Sequence, residues 1–159
     1  MKITIIAVGK LKESYLKEAV SEYAKRLNRY AKLDIIEVPD EPAGEKISPA
    51  EEIAVLAKEG ERILKYIKEG AYCIATAISG TPLTSEGLAD KIAKLSVTGH
   101  SHIYFVIGGS LGLCGNVLKR ADFRLSFSQM TFPHQLMRVM LVEQLYRAFR
   151  INSNEPYHK

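Results

Sequence analysis

Cysteine is scarce in this 159-residue chain, which has only Cys73 and Cys114. Two cysteines provide neither a disulfide framework nor metal-ligand spacing, and we interpret both as small buried apolar residues. The sequence also lacks a His, Asp, Glu and Cys cluster with ligand spacing, so it implies no metal. The chemistry of the chain is therefore expected from other side chains and from the backbone.

Long apolar runs are missing as well. The apolar start Met1–Ile6 leads into Gly9 and Lys10 instead of continuing, so we expect neither a signal peptide nor a membrane span. The apolar content of 47% and the charged content of 25% are ordinary for globular proteins. We therefore expect one domain over residues 1–159, in a soluble cytoplasmic protein.

Charge of either sign is balanced in the first two thirds of the chain and unbalanced in the last third. Residues 1–100 contain 15 Lys/Arg and 15 Asp/Glu, whereas residues 101–159 contain 7 and 3. The whole formal charge of +4 thus lies in the C-terminal part, which favours a polyanionic partner there. A chance imbalance of four charges explains the same numbers equally well.

Apolar periodicity predicts alternating strands and helices. We expect strands at 2–8, 33–38, 72–78, 103–107 and 124–127, and helices at 14–27, 48–68, 86–95, 116–120 and 133–151. Ser48 and Glu51 form a capping box, with Pro49 as the first helical residue. The continuous apolar run 103–107 predicts a central strand. The alternation indicates an α/β domain with a mostly parallel sheet and helices on both faces.

Ligands bind such sheets at the carboxyl ends of the strands, where three loops are expected near 76–80, 108–112 and 127–132. The turn Gly108-Gly109-Ser110 would let the backbone approach a ligand closely. The turn lacks the spacing of a dinucleotide fingerprint, and no Gly-Lys-Ser/Thr of a P-loop occurs, which disfavours a nicotinamide oxidoreductase. A plain tight turn is the alternative.

The segment Phe127–Phe132 combines aromatic and thioether side chains with free backbone groups before a helix. This combination suits a flat, purine-like ring. The alternative is a capped helix start whose Phe and Met side chains belong to the core.

The last predicted helix carries a cation inside an apolar stripe. His134 and Arg138 share one face, and Arg138 is flanked there by apolar residues such as Leu141 and Leu145. Such a cation needs an anionic partner. The helix is apolar nearly all round, which predicts packing both on its own sheet and on a second subunit, most simply in a C₂ dimer.

Several segments together resemble the RlmH family (ribosomal RNA large subunit methyltransferase H), a minimal group of SPOUT methyltransferases. The resemblance spans essentially the full length and rests on Thr131–Arg138, Glu143–Phe149, Pro156–Lys159, Val106–Leu113, Ile6–Lys12 and Lys58–Gly60. It implies a deep trefoil knot formed by the C-terminal segments, a homodimer, and S-adenosylmethionine as cofactor. It further implies methylation of N3 of a pseudouridine in large-subunit ribosomal RNA, on assembled ribosomes.

The resemblance also implies roles for individual residues. The cofactor-binding residues would be Thr76, Gly108, Phe127, Ser128, Gln129, Met130, Thr131 and Phe132. The catalytic residues would be Tyr157, His158 and Arg138. His158 would act as a base or donor toward the target ring, Tyr157 would stack on it or orient it, and both would reach the partner's pocket. Arg138 and His134 would contact RNA phosphate or hold the C-terminal tail, although His134 fits a structural cap role equally well.

Two other functions fit parts of the sequence. A non-catalytic ribosome-binding factor would use the basic C-terminal third and need no cofactor. A SPOUT enzyme that acts on a ribose hydroxyl of transfer RNA is the other, although the chain has no added RNA-binding domain.

Overall fold

The structure is a computed structural model that describes residues 1–158. Its strands are β1 (Lys2–Val8), β2 (Lys32–Val38), β3 (Tyr72–Pro82), β4 (His102–Ile107) and β5 (Phe123–Ser126). Its helices are α1 (Ser14–Leu27), α2 (Pro49–Leu64), α3 (Ser85–Val97), α4 (Gly115–Arg120) and α5 (His134–Asn152). All ten elements occur where the sequence predicts them, with ends that differ by a few residues.

The five strands form one parallel sheet in the order β2-β1-β4-β3-β5. The apolar run in β4 lies at the centre, as predicted, and Ile103–Ile107 is buried throughout. Because β5 pairs outside β3, the chain crosses β3 on its way from β4 to the sheet edge. The trefoil knot remains a prediction of the resemblance.

Two cores lie on opposite faces of the sheet, which confirms the predicted helices on both sides. One core joins alternate residues of β1, such as Ile3 and Ile5, to buried residues of α1, α3 and α5. The other joins Ile6 and Val8 to α2 and α4. Successive side chains of a strand point to opposite faces, so one apolar strand serves both cores.

Two elements differ from the predicted bounds in ways that matter locally. Helix α2 ends at Leu64 instead of residue 68, although the capping box of Ser48 is present as predicted. Strand β3 extends past residue 78 to Pro82, with a register shift between Thr76 and Thr81. Such an irregularity bends the strand, here beside the loops that the sequence marks as ligand-binding.

Helix α5 begins one residue later than predicted. Pro133 has an extended ψ of 131° and is the N-cap, so His134 is the first helical residue. The helix packs against both α1 and α3, and these two neighbours cover part of the apolar surface that we assigned to a second subunit.

Hydropathy gives no membrane-crossing helix: within residues 1–158 none is both long and apolar enough.

Candidate functional site

A cavity of about 870 Å³ opens at the carboxyl ends of β3, β4 and β5, where the sequence predicts ligand binding. Its lining residues are 76–79, 107–113, 118, 125, 127, 128, 130–134 and 137. The three predicted loops therefore meet around one space. None of the lining residues is Asp, Glu, Lys or Arg. The volume and the apolar walls are typical of sites for small organic ligands.

Glycine is required in the loop after β4. A Cβ on Gly108 would stand 2.4 Å from the carbonyl oxygen of Gly112, which is far inside van der Waals contact. Gly112 has a φ of +86°, which favours glycine, and its N–H donates to the Gly109 carbonyl at 3.1 Å. The segment is thus a tight turn, as one interpretation proposed, and it also forms a wall of the cavity.

All the predicted cofactor-binding residues except Gln129 line the cavity. Gln129 is exposed and lies outside the lining, so the geometry gives no support to its predicted contact. The Thr76 hydroxyl donates to the Val106 carbonyl at 2.9 Å, so its proton is already used within the protein. A hydrogen bond from Thr76 to a ligand would therefore be donated by its backbone N–H.

The loop 127–132 contains more than core side chains. Phe127 packs against the first core, but the side chain of Met130 is 74% exposed at the cavity. The Ser128 hydroxyl accepts a hydrogen bond from the Met130 N–H at 3.0 Å, which holds the loop in a turn. The interpretation that both Phe and Met belong to the core is therefore wrong for Met130.

Arg138 does not face RNA or the C-terminal tail, and that expectation is wrong. Only 1% of its surface is exposed, and Nη1 lies 2.5 Å from Oε2 of Glu37. Nη2 donates to the carbonyl oxygens of Gly9 at 2.6 Å and Val8 at 3.3 Å. The anionic partner required by the apolar stripe exists, but it is a side chain of β2. These contacts connect α5 to the ends of β1 and β2. Arg138 is therefore a positioning residue in this geometry.

His134 lies in the wall of the cavity near the bend at Gly9, where a Cβ would stand 3.9 Å from Nε2. Burial lowers the pKa of His134, and the nearby Arg138 cation lowers it further. A neutral imidazole here is poorly suited to bind a phosphate by charge. His134 therefore shapes the cavity wall and the start of α5.

The C-terminal tail folds back on α5 of its own chain. The Tyr157 hydroxyl donates to Oε1 of Glu143 at 3.0 Å, and Arg147 lies 4.6 Å from the Tyr157 ring centre. His158 is held on two sides, with Nε2 2.7 Å from Oε1 of Glu86 and Nδ1 3.3 Å from Nη1 of Arg147. Arginine only donates, so this pairing suits the tautomer with its proton on Nε2 and with the Nδ1 lone pair accepting from Arg147.

The docked tail is separated from the cavity of its own chain. Met137 lines the cavity, and Arg147, which contacts His158, follows it by ten residues on the same helix. At 1.5 Å per residue, this spacing is about 15 Å along the axis. Neither Tyr157 nor His158 belongs to the cavity lining.

Two functional neighbours escaped sequence reasoning. Glu37 is the partner of Arg138, and Glu59, a buried residue of α2, lies against Gly109. One signal was available for Glu37, because it is an acid that directly precedes the buried end of β2 at the same sheet edge as Gly9. Glu59 belongs to the family-like segment Lys58–Gly60, but the sequence gave no sign of its burial, since helical glutamates are usually solvated.

Acid is expected to weaken the connection between α5 and β2. Partial burial raises the pKa of Glu37, but hydrogen bonds from Arg138 and from the Leu11 N–H outweigh this effect and hold the pKa below the ordinary value of a glutamate. A carboxyl group with a lowered pKa in the folded state stabilises the fold at pH values above its pKa in the unfolded chain. This stabilisation is lost as the pH falls through the pKa of the folded state. Urea unfolding at pH 7 and pH 3.5 should show a smaller loss of stability for Glu37→Gln than for the unmodified chain. Equal losses would contradict this assignment.

Metal-binding geometry is also absent: residues 1–158 contain no group of three or more His, Cys, Asp or Glu side chains that could hold a metal ion.

Comparison with known proteins gives a family for this architecture. The family model described as "Predicted SPOUT methyltransferase" matches residues 1–158. The chain is 63% identical over 159 residues to a ribosomal RNA large subunit methyltransferase H of Alkaliphilus oremlandii and 61% identical to that of Bifidobacterium adolescentis. Both alignments cover 100% of each chain.

Solved structures share the fold at low sequence identity. A probable methylase family protein of Haemophilus influenzae aligns with a TM-score of 0.51 and 15% identity, over 99% of this chain and 70% of its own. A putative methyltransferase of Legionella pneumophila, solved with the bound cofactor SAM, aligns with a TM-score of 0.51 and 12% identity, over 93% and 66%. From the full-length family match and the identities above 60%, the chain belongs to the SPOUT methyltransferase family, in the group named ribosomal RNA large subunit methyltransferase H.

Proposed function

We propose that this protein is an S-adenosylmethionine-dependent methyltransferase of large-subunit ribosomal RNA. Its target would be N3 of a pseudouridine, and its substrate the assembled ribosome. The observation that carries the proposal is the cavity at the carboxyl ends of β3, β4 and β5, in a chain whose relatives are named as methyltransferases of that RNA. The pseudouridine and the assembled ribosome come from the family resemblance.

The cavity fits S-adenosylmethionine in size and in chemistry. A volume of about 870 Å³ holds a ligand of that class. In the glycine turn 108–112, backbone groups line the cavity at Gly108, where no Cβ fits. Phe127 and Met130 supply apolar surface for an adenine ring. Gly108 and the loop 127–132 would hold the cofactor, with Thr76 contributing backbone groups.

When bound, S-adenosylmethionine supplies a methyl group activated by its sulfonium. The protein has to orient the target nitrogen toward that methyl group and keep water away, and positioning of this kind can remove on the order of several kcal/mol from a barrier. The N3–H of the target ring must also lose its proton. The lone pair on Nδ1 of His158 becomes available when its hydrogen bond from Arg147 breaks, so His158 is the proposed acceptor of this proton. Tyr157 would orient the base by stacking.

A homodimer would bring this tail to a cavity. The tail docks about 15 Å along α5 from the cavity of its own chain, so we propose that it serves the cavity of a second subunit. The outer side of α5 provides an interface with exposed Leu136 and half-buried Val139 and Met140. An isologous C₂ arrangement would pair two such helices and complete both sites at once.

The direct test is mass mapping of ribosomal RNA from cells that lack the protein, before and after it is restored. A single methyl group that disappears and returns at one pseudouridine supports the proposal. Purified protein should then transfer labelled methyl groups to assembled ribosomes and much less to naked RNA. Ribosome binding without S-adenosylmethionine binding would instead indicate a non-catalytic binding factor.

Gly108→Ala should weaken binding of the cofactor. The added Cβ would stand 2.4 Å from a backbone oxygen of Gly112, so the wall of the cavity has to move. We expect calorimetry to show at least about tenfold weaker binding of S-adenosylmethionine, which is about 1.4 kcal/mol. Gly115→Ala is the matched control, because no atom of the described residues lies within 4 Å of its Cβ position. Similar affinities for both variants would remove the glycine turn from the site.

A further inference from the structure

A second, smaller cavity lies directly behind the glycine wall of the large one. It has a volume of about 50 Å³, enough for one or two water molecules. Gly109, Ser110, Leu111 and His134 line both cavities, so the two spaces share a wall. The small cavity is also lined by the three acids Asp40, Glu41 and Glu59.

Glu59 is the buried member of this group, with 5% of its surface exposed. Its Oε2 accepts a hydrogen bond from the Glu41 N–H at 3.0 Å. The two carboxyl oxygens lie 3.5 and 3.6 Å from the position that a Cβ of Gly109 would take. Among residues 1–158, no hydrogen bond reaches Oε1. The carboxyl group thus touches the back of the wall whose front lines the large cavity.

Among residues 1–158, no cation forms a direct ion pair with the carboxyl group of Glu59. Glu41 is neutralised by ion pairs with Arg62 and Lys58, whereas neither Glu59 nor Asp40 joins an ion pair within residues 1–158. Burial raises the pKa of Glu59, and the negative charges of Asp40 and Glu41 raise it as well. The Glu41 N–H and the positive charge of Arg62 favour the ionised form and offset only part of that rise. The large cavity has no acidic lining residue, whereas the small cavity that shares its wall is lined by three.

We propose that Glu59 makes the large cavity prefer the cationic methyl donor over the product left after transfer. This inference rests on the proposed function. S-adenosylmethionine carries a sulfonium, an ammonium and a carboxylate, with a net charge of +1, whereas S-adenosylhomocysteine has a neutral sulfur and no net charge. A carboxylate across one layer of backbone attracts the first and is indifferent to the second. Loss of the sulfonium charge on methyl transfer would then favour product release.

The test compares the affinities of both compounds, measured by calorimetry on the unmodified chain and on Glu59→Gln. Glutamine keeps the shape and the acceptor for the Glu41 N–H but removes the charge. We expect binding of S-adenosylmethionine to weaken on the order of fivefold and binding of S-adenosylhomocysteine to change less than twofold. Glu61→Gln is the matched control, because it removes the same charge from an exposed position of the same helix and should change neither affinity.

Equal weakening of both compounds, or of neither, overturns the proposal and leaves Glu59 a structural hydrogen-bond acceptor. If Glu59→Gln fails to fold, Asp40→Asn replaces it, since Asp40 is exposed and lines the same small cavity. It should lower the preference for S-adenosylmethionine about twofold, and an unchanged preference would count against the proposal. Failure of the unmodified chain to bind either compound contradicts the proposed function itself, so the two failures are distinguishable.

Discussion

Removal of residues 157–159 is expected to abolish methyl transfer to ribosomes while S-adenosylmethionine still binds. Tyr157 and His158 lie outside the cavity that is proposed to hold the cofactor, so their loss leaves its walls intact. They are the residues proposed to orient the target ring and take its proton, and loss of general base catalysis alone costs about 10²–10⁴-fold in rate. Calorimetry for binding and a labelled methyl-transfer assay on ribosomes would check both halves of the prediction.

Single substitutions separate chemistry from stability in this tail. His158→Ala removes the contacts to Glu86 and Arg147 at the surface, so it should lower turnover by about 10²-fold or more and leave the melting temperature nearly unchanged. Glu86→Gln is the control, because it keeps the imidazole and removes only the charge beside it. Turnover by His158→Ala at the rate of the unmodified chain would contradict the proposed role of the tail.

Arg138→Ala is expected to lower the free energy of unfolding by about 3 kcal/mol, near the range for breaking a buried ion pair. The substitution leaves the carboxylate of Glu37 and the carbonyl oxygens of Gly9 and Val8 without their donor, and it leaves a void where the buried side chain stood. Glu37 is 37% exposed, so it regains part of its solvation from water. Nε of Arg138 is buried and has no hydrogen-bond partner among residues 1–158. Both facts argue against a larger value.

Urea unfolding would measure this loss, with Arg29→Ala as the control. Arg29 is exposed, and a substitution there should stay within about 0.5 kcal/mol. Binding of S-adenosylmethionine should weaken as well, because Arg138 fixes the first turns of α5, where His134 and Met137 line the cavity. Unchanged stability together with lost ribosome binding would restore an RNA-facing role for Arg138.

Most of the fold could be predicted because its signals are local. The capping box at Ser48 and Glu51 acts over three residues, and the alternating apolar pattern marks each strand by itself. The continuous apolar run of β4 identified the central strand, since only a strand covered on both faces is apolar throughout. The end of β3 was harder, because the closeness of β5 at Gly80 depends on Arg124, which is distant in the chain.

The candidate site could be predicted in part. Parallel strands place their carboxyl ends at one edge, so the three loops that line the cavity were identifiable without coordinates. The partner of Arg138 was not, because Glu37 lies 101 residues away along the chain. The position of Arg138 in an apolar stripe showed that it needs an anionic partner. The helical pattern alone does not distinguish an RNA phosphate from a carboxylate of the protein.

The amino-acid sequence by itself determined the order of strands and helices, the glycine turn after β4, the basic C-terminal third and the family. Each of these depends on residues that are neighbours in the chain, or on the composition and order of the residues along it. Only the tertiary structure decided that Arg138 is buried against Glu37, that Gln129 lies outside the cavity, that the tail docks on its own helix, and that Glu59 lies behind Gly109. These outcomes depend on contacts between segments far apart in sequence, and burial and pairing of a charge are set by such contacts and not by local pattern.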